Sequence, residues 1–368
     1  MEPYDALLLV SFGGPEGPDD VLPFLENVTR GRDVPPQRLA EVGAHYHEFG
    51  GRSPINDQCR ALRDAVSADL FAHGIELPVY WGNRNWHPYL ADTLRTMRDD
   101  GVRRAACLVT SAYSSYAGCR QYREDLFDAV APLGGALRLD RLRHYFNHPG
   151  FVRPFVDGTA AALRRLHERG SRAVRLVFVT HSIPTAMNAT SGAAFGAAFA
   201  DAGGAYVRQH AEAARVVSEQ VAGRIGQTPS YDLVYCSRSG SPRVPWLEPD
   251  IADHLGDVAA AGTDAVVVVP IGFTSDHMEV VWDLDTEAAA AADRWGLGFA
   301  RVPTPGTDQR FVAMVRDLLV ERAAVERGAE VPDRAVVGRL GPSWDACPNG
   351  CCANPRGERP AVGGIPLR

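Results

Sequence analysis

The sequence predicts an α/β protein built on two doubly wound parallel sheets. Three observations carry that prediction. Short apolar runs recur along the chain, and each gives way to glycine, proline or polar residues and then to a stretch of helical periodicity, the alternation expected of βα units. The alternation occurs twice, on either side of the NHPG break at 147–150. The chain has 368 residues, 45% of them hydrophobic, which suits two cores better than one. The expected organisation is a first domain over 1–148, a second over 149–305, and a C-terminal helix with a tail over 306–368.

Residues 5–12 read as a strand ending in Ser11, Phe12 and GGP, followed by a helix over 19–27 and the basic stretch TRGRDVPPQR. The run EVGAHYHEFGGRSPIN reads as a glycine-rich turn carrying His45, Tyr46, His47, Arg52 and Ser53, where Gly50 and Gly51 permit close backbone approach to a ligand. It leads into an amphipathic helix over 55–73. PVYWGNRNWHPYL and RRAACLVTSAYSSY are strands that open into Asn83, Arg84, Trp86 and His87, and into Ser111, Tyr113, Ser114 and Tyr116; the helix CRQYREDLFDAV follows. The second half repeats the plan with a helix over 151–169, the strand VRLVFVTHSIP, a helix near 203–224, the strand DLVYC with its loop SRSGSP, a helix after VPWLEPD, and a strand running into PIGF. A helix over 308–327 closes the compact part. Aromatic residues crowd the strand ends, and about half of Phe12, Tyr46, Trp86, Tyr113, Tyr116, Phe273 and Trp282 are expected to line a flat apolar slot, the rest being core.

Net charge is −7 and the sequence pI about 5.9, which leaves no global basic field to attract nucleic acid or anionic lipid. MEPYDALLLVSF has no basic segment ahead of its apolar run, and that run is too short to span a bilayer. A cytoplasmic protein without a transmembrane segment is the expectation.

Chemistry concentrates at two strand ends of the second half. In a helix beginning near Asp276, residues four apart share a face, so Glu279, Asp283 and Glu287 form a column of carboxylates. Like charges so placed repel by roughly a few tenths of a kcal/mol per pair. A solvated surface face explains the spacing equally well; the setting favours a ligand, because open α/β sheets bind ligands beyond the carboxyl ends of their strands. His181 ends the strand before SIP. A histidine at a strand end is more often a hydrogen-bonded structural group than a catalyst, but an imidazole facing carboxylates suits proton removal and borderline metals. Together the two sites suggest divalent-metal chemistry.

The seven cysteines are too few and too unevenly placed for a disulfide scaffold. Cys59, Cys107 and Cys236 sit in apolar or helical runs where inert packing is the expectation. Cys347, Cys351 and Cys352 fall within six positions of the tail, which argues for a metal, zinc or iron–sulfur. A four-thiolate site needs one more cysteine from the main body, and Cys119, at an exposed-looking helix start, is the candidate.

SFGGP at 11–15, YHEFGGRSP at 46–54, THSIP at 180–184, SRSG with PWLEPD within 237–250, and GFTSDHMEVVWDLD at 272–285 resemble, in order and spacing, the ferrochelatases, and within them the actinobacterial type that inserts iron into coproporphyrin III. The resemblance covers nearly the whole chain. It implies two Rossmann-like domains with a porphyrin cleft between them and a short cluster-binding tail, with His181 and Glu279 facing each other across the macrocycle as the catalytic and metal-handling pair. Asp283 and Glu287 match the family's acidic column, there built on a locally widened helix. Arg30, Tyr46, Ser53 and Tyr122 fall at or next to positions that contact porphyrin propionates, although His45 stands where the family commonly has an arginine. Phe12 stands where some relatives carry a tyrosine near the metal; phenylalanine cannot ligate and is expected to pack on the ring.

The resemblance further implies a [2Fe–2S] cluster on Cys119, Cys347, Cys351 and Cys352, coproporphyrin III and Fe²⁺ as substrates, and transient contact with neighbouring haem-pathway enzymes. Metal insertion asks for a base for two pyrrole protons and for oxygen or nitrogen ligands that hold iron loosely. Competing readings are a protoporphyrin IX ferrochelatase, a cobalt or nickel tetrapyrrole chelatase, and a non-enzymatic haem or metal carrier, which would need a stable axial ligand and no base column.

Overall fold

The computed structural model describes residues 1–31, 34–192, 203–239, 243–330 and 333–364. Arg32 and Asp33 of the basic stretch and Gly240 of SRSG lie outside the described residues. In chain order the first half consists of β1 (Ala6–Ser11), α1 (Pro18–Thr29), α2 (Pro36–Glu48), α3 (Ile55–Ala72), β2 (Val79–Asn83), α4 (Leu90–Asp99), β3 (Arg104–Val109), a π-turn over Tyr116–Arg120, α5 (Gln121–Val130) and β4 (Arg138–Arg141). The second half has α6 (Pro149–Glu168), β5 (Val174–His181), α7 (Thr185–Thr190), α8 (Ala205–Ile225), β6 (Tyr231–Cys236), α9 (Ile251–Ala260) and β7 (Ala265–Val269). Met278–Val280, the π-helical Val281–Ala288 and Ala289–Arg294 run on as one helix, α10, and β8 (Gly298–Arg301) and α11 (Gln309–Glu326) complete it.

The strands form two four-stranded sheets of identical plan, β2-β1-β3-β4 and β6-β5-β7-β8, parallel throughout. The central strands explain why. Every residue of β1 and β7 is buried, so both faces must be covered, and a βα alternation supplies helices to do so. In each sheet the chain leaves the first strand for one neighbour and returns to its other side, placing a topological switch point between β1 and β3 and between β5 and β7. The loops beyond β5 and β7 are therefore forced together over that crevice.

Two edge strands escaped the sequence reading. β4 is RLDR and β8 is GFAR, four residues each and partly charged, as sheet edges often are. The histidine-rich run was expected as a turn; instead His45, Tyr46 and His47 lie within α2, and only the residues after Phe49 turn. Pro36 at the first helical position and a buried stripe of Gly43 and Tyr46 outweigh the nearby glycines.

The two halves share one core. Phe311, Met314, Val315 and Leu318 of α11 pack in the same cluster as Leu62 and Val66 of α3 and Phe151 and Phe155 of α6, and Arg316 pairs with Asp69 across that contact at 2.8 Å. The loop after β7 is bolted to the first half by three hydrogen bonds: Tyr113 OH donates to Ile271 O at 2.9 Å, Thr274 Oγ1 to Thr110 O at 3.1 Å, and Asp276 N to Gln58 Oε1 at 2.8 Å.

Gly272 lets this loop lie against β5, since a Cβ there would sit 2.1 Å from Thr180 Oγ1. Gly272→Ala should therefore destabilise the fold by about 1–3 kcal/mol, an overpacking cost. Urea unfolding measures it, and an unchanged midpoint would show that the loop yields freely.

Candidate active site

His181 is the last residue of β5, and Glu279 stands in the first turn of α10, just after the bolted loop. They meet over the switch point: His181 Nε2 lies 3.7 Å from Glu279 Oε2. The Nδ1–H of His181 donates to the Ser182 carbonyl. In the neutral ring Nε2 is then a bare lone pair aimed at a carboxylate. Two acceptors facing each other at this distance form a place for a proton or a cation.

His277 is the site residue that the sequence reading passed over. Its Nδ1 also lies 3.7 Å from Glu279 Oε2, and burial, ahead of any charge effect, pushes its pKa down. It was legible only as a residue two before Glu279. The extended backbone of the position just ahead of α10, φ −134°, is what turns its ring back onto the carboxylate.

The acidic helix is not regular. Val281–Ala288 is π-helical, a geometry frequent at functional sites, so Glu279, Asp283 and Glu287 line up only approximately. Asp283 is half-buried, while Glu279 and Glu287 are exposed. Burial pushes the Asp283 carboxyl up to about 7, and the charges of Glu279 and Glu287 add to the rise, whereas a hydrogen bond from Ser237 Oγ opposes it. Ser237 occupies the left-handed region at φ 61°, a costly conformation for a residue with a side chain, and it follows directly on β6. The neighbouring Asp285 is no part of the column, since Arg301 binds it and Asp276 together.

The other wall comes from the first half. The His45 ring stacks on Trp282 with centroids 3.8 Å apart and planes 7° from parallel, and Phe49 meets Trp282 edge-on at 6.2 Å. Phe24 gathers Phe12, Tyr46 and Trp86 at 6.0–6.3 Å, and Met278 of α10 packs into the same cluster. Burial, then Glu279 and Asp283, push the Tyr46 hydroxyl pKa well up, which keeps it protonated as a donor facing the column. Arg84 lies over the Tyr122 ring at 4.5 Å and the Phe12 ring at 5.8 Å and pairs with Asp125 at 2.6 Å.

His181 and Glu279, which the resemblance sets facing each other across the macrocycle, stand 3.7 Å apart in the folded chain. Of the proposed propionate contacts, Arg30 is exposed at the end of α1, while Ser53 and Tyr122 are buried. Of the expected aromatic slot, Tyr113 and Phe273 are core, Tyr113 stacking on buried His210 at 3.5 Å.

A second cluster forms around the tail. Cys119, Cys347, Cys351 and Cys352 are all buried and pack together, so the exposed look of Cys119 was misleading: the tail covers the π-turn that carries it. Gly192 N–H donates to Cys352 Sγ at 3.4 Å and Arg141 Nη2 to Cys347 Sγ at 3.4 Å. Hydrogen bonding by Cys119 and Cys351, with Arg141 and Arg123 nearby, holds the Cys347 thiol far below its ordinary value, while the other three are pushed up. Among the described residues no three His, Cys, Asp or Glu side chains stand in position to ligate a single ion; the four thiols share a pocket rather than a finished coordination sphere.

The ferrochelatase family model matches residues 4–323 of the chain, ending before the tail cysteines. The coproporphyrin III ferrochelatase of Streptomyces coelicolor is 59% identical over 366 residues, 98% of this chain and 96% of the relative. That of Streptomyces griseus is 57% identical over 98% of this chain and 96% of its own length, and that of Leifsonia xyli 49% identical over 98% and 94%. Among the described residues no helix is long and apolar enough to cross a membrane. With the family model covering most of the chain and its relatives aligned end to end, the chain belongs to the ferrochelatase family.

Proposed function

We propose that this chain inserts Fe²⁺ into coproporphyrin III, giving coproheme with release of two pyrrole protons, in the cytoplasmic branch of haem biosynthesis. The observation that supports it most directly is the pair of lone-pair donors at the switch point, His181 Nε2 and Glu279 Oε2; the names of relatives 49–59% identical supply the porphyrin. His181 and Glu279 accept protons and hold iron in transit. The Tyr46 hydroxyl, kept protonated, donates to a propionate or to the column. Arg30, exposed at the end of α1, offers cationic charge toward a substrate with four carboxylates. The test is Fe²⁺ insertion measured in parallel with coproporphyrin III and protoporphyrin IX. Preference for the first is expected; a preference for the second would move the reading to a protoporphyrin enzyme.

Asp283 and Glu287 lead from solvent toward Glu279 and pass hydrated Fe²⁺ inward or protons outward. Asp283→Asn combined with Glu287→Gln should raise the Fe²⁺ concentration giving half-maximal rate several-fold, leaving coproporphyrin affinity by fluorescence quenching unchanged. A merely solvated face predicts an unaltered iron profile and a helix steadier by roughly a few tenths of a kcal/mol.

The four tail-side thiols fit a [2Fe–2S] cluster held by Cys119, Cys347, Cys351 and Cys352. The pocket is buried, its donors are all sulfur, and among the described residues Arg123 Nη1 and Arg141 Nε are buried without a hydrogen-bond partner. Four thiols in one buried pocket cannot all ionise against two guanidiniums, so metal charge is what the donor set lacks. When bound, the cluster supplies one-electron chemistry. Anaerobically purified protein should be reddish-brown with about two irons and matching sulfide per chain; colourless protein with stoichiometric zinc would decide for zinc.

A further inference from the structure

Away from the His181 site, two buried arginines have no carboxylate partner among the described residues. Among the described residues, Arg123, Arg141, Arg143 and Arg322 are buried. The fold pairs two of these in the ordinary way: Arg143 binds Glu321 at 2.6 and 3.1 Å, and Arg322 binds Glu326 at 2.7 Å and reaches Asp140 at 3.7 Å. Arg123 and Arg141 are treated differently. Arg123 Nε donates to Val362 O at 2.6 Å; Arg141 Nη2 donates to Trp344 O and Cys347 Sγ, each at 3.4 Å. Among the described residues, Arg123 Nη1 and Arg141 Nε have no hydrogen-bond partner. A buried cation without a counter-charge is strongly unfavourable, so the sequence would be expected to supply one.

The tail seals these two side chains in with the thiols. Val362 N–H donates to Arg123 O at 3.1 Å and Cys347 N–H to Gly363 O at 3.0 Å. A Cβ on Gly364 would lie 3.0 Å from Arg123 Nη2, so bare backbone passes directly over the guanidinium. What Arg141 meets in place of a carboxylate is sulfur: its Nη2 donates to Cys347 Sγ, and the charges of all four cysteines act on it, while Arg123 lies beside it under the same stretch of tail.

We propose that Arg141, with Arg123 beside it, is the built-in counter-charge of the thiolate-bound cluster and raises its reduction potential. The proposal rests on the [2Fe–2S] reading above. Four thiolates around such a cluster leave two net negative charges when it is oxidised and three when reduced. A fixed cation in a low-dielectric pocket favours the more negative state, and the N–H···S bond from Arg141 to Cys347 acts in the same direction. His144 adds no charge, because burial ahead of all else holds its pKa down at about 3.

The test uses the full chain purified anaerobically, with a mediated redox titration followed by visible absorption and by the paramagnetic signal of the reduced cluster. Arg141→Gln should lower the reduction equilibrium constant at least tenfold, about 59 mV for one electron. Arg141→Lys, which keeps the charge, should stay within a factor of three of the parent. An unchanged potential in Arg141→Gln overturns the proposal, and so does an equal fall in both variants, which would mean lost packing rather than lost charge. Should Arg141→Gln fail to hold the cluster, Arg123→Gln carries the same prediction with the same sign and the same grounds for rejection. Parent protein without iron and sulfide would sink the cluster reading itself; a loaded parent whose potential ignores these charges sinks this proposal alone.

Discussion

His181→Ala and Glu279→Gln should each cut kcat/KM for iron insertion by about 10²–10⁴, the range expected when a positioned proton acceptor is removed. Each group keeps an uncommitted acceptor in the resting chain. His181 spends its Nδ1–H on the Ser182 carbonyl and leaves Nε2 uncommitted, and Glu279 Oε2, 3.7 Å away, is equally unsatisfied by any strong donor. Groups kept idle in the folded protein contribute little to its stability, and both side chains are partly exposed, at 32% and 49%. Unfolding free energies should therefore move by no more than about 0.5 kcal/mol, as for ordinary surface changes. Both substitutions should leave coproporphyrin binding in place, since neither side chain is proposed to meet a propionate. Retention of a tenth of the activity by either variant would remove that residue from the chemistry. Glu279→Asp separates charge from reach: it keeps the carboxylate but withdraws it by one methylene from both His181 and His277, and an intermediate loss is expected.

How much of this was legible beforehand follows from which forces act locally. β1, β7 and the middle of β5 announce themselves because strand residues buried on both faces must be largely apolar, and the switch-point rule then places His181 and the acidic helix over one crevice before any coordinate is known. The glycines of this run suggest a turn; what makes α2 a helix is its contact with α1 and with Trp282, through the His45 stack, and Trp282 is remote in sequence. The short edges β4 and β8 carry no strong pattern, since hydrogen bonding to β3 and β7 holds them rather than burial of an apolar face. Ser237 stands in the SRSG motif, but nothing in that run shows that its backbone takes φ 61° and that its hydroxyl reaches Asp283. Cys119 looked exposed for the same reason that it is buried, because the segment covering it begins more than two hundred positions later.

That long-range cover makes Cys119→Ser the most consequential single change outside the catalytic pair. Three of the four thiols belong to the tail and only Cys119 belongs to the first domain, on the π-turn ahead of α5. A cluster spanning these four would thus be the covalent link between tail and body, in addition to the few polar contacts the tail makes on its own, such as Arg120 Nη2 to Arg359 O at 2.6 Å and Asn354 Nδ2 to Glu124 Oε2 at 2.9 Å. Serine is nearly isosteric, so packing survives, but its hydroxyl is a poor soft-metal ligand. The expected result is colourless protein lacking sulfide, a lowered Tm, and rapid proteolysis between α11 and Cys347. Without the cluster the Arg123 and Arg141 charges lose their compensation, and a buried unpaired cation pulls its cover open toward water. Cys59→Ser is the matched control: it is another buried thiol of the first domain, whose contact is Ser11 Oγ at 3.1 Å, and it should retain colour, iron and a protected tail. Full iron and sulfide in Cys119→Ser would mean that the fourth ligand lies elsewhere, and a protected tail in the colourless variant would mean that the polar contacts alone hold it.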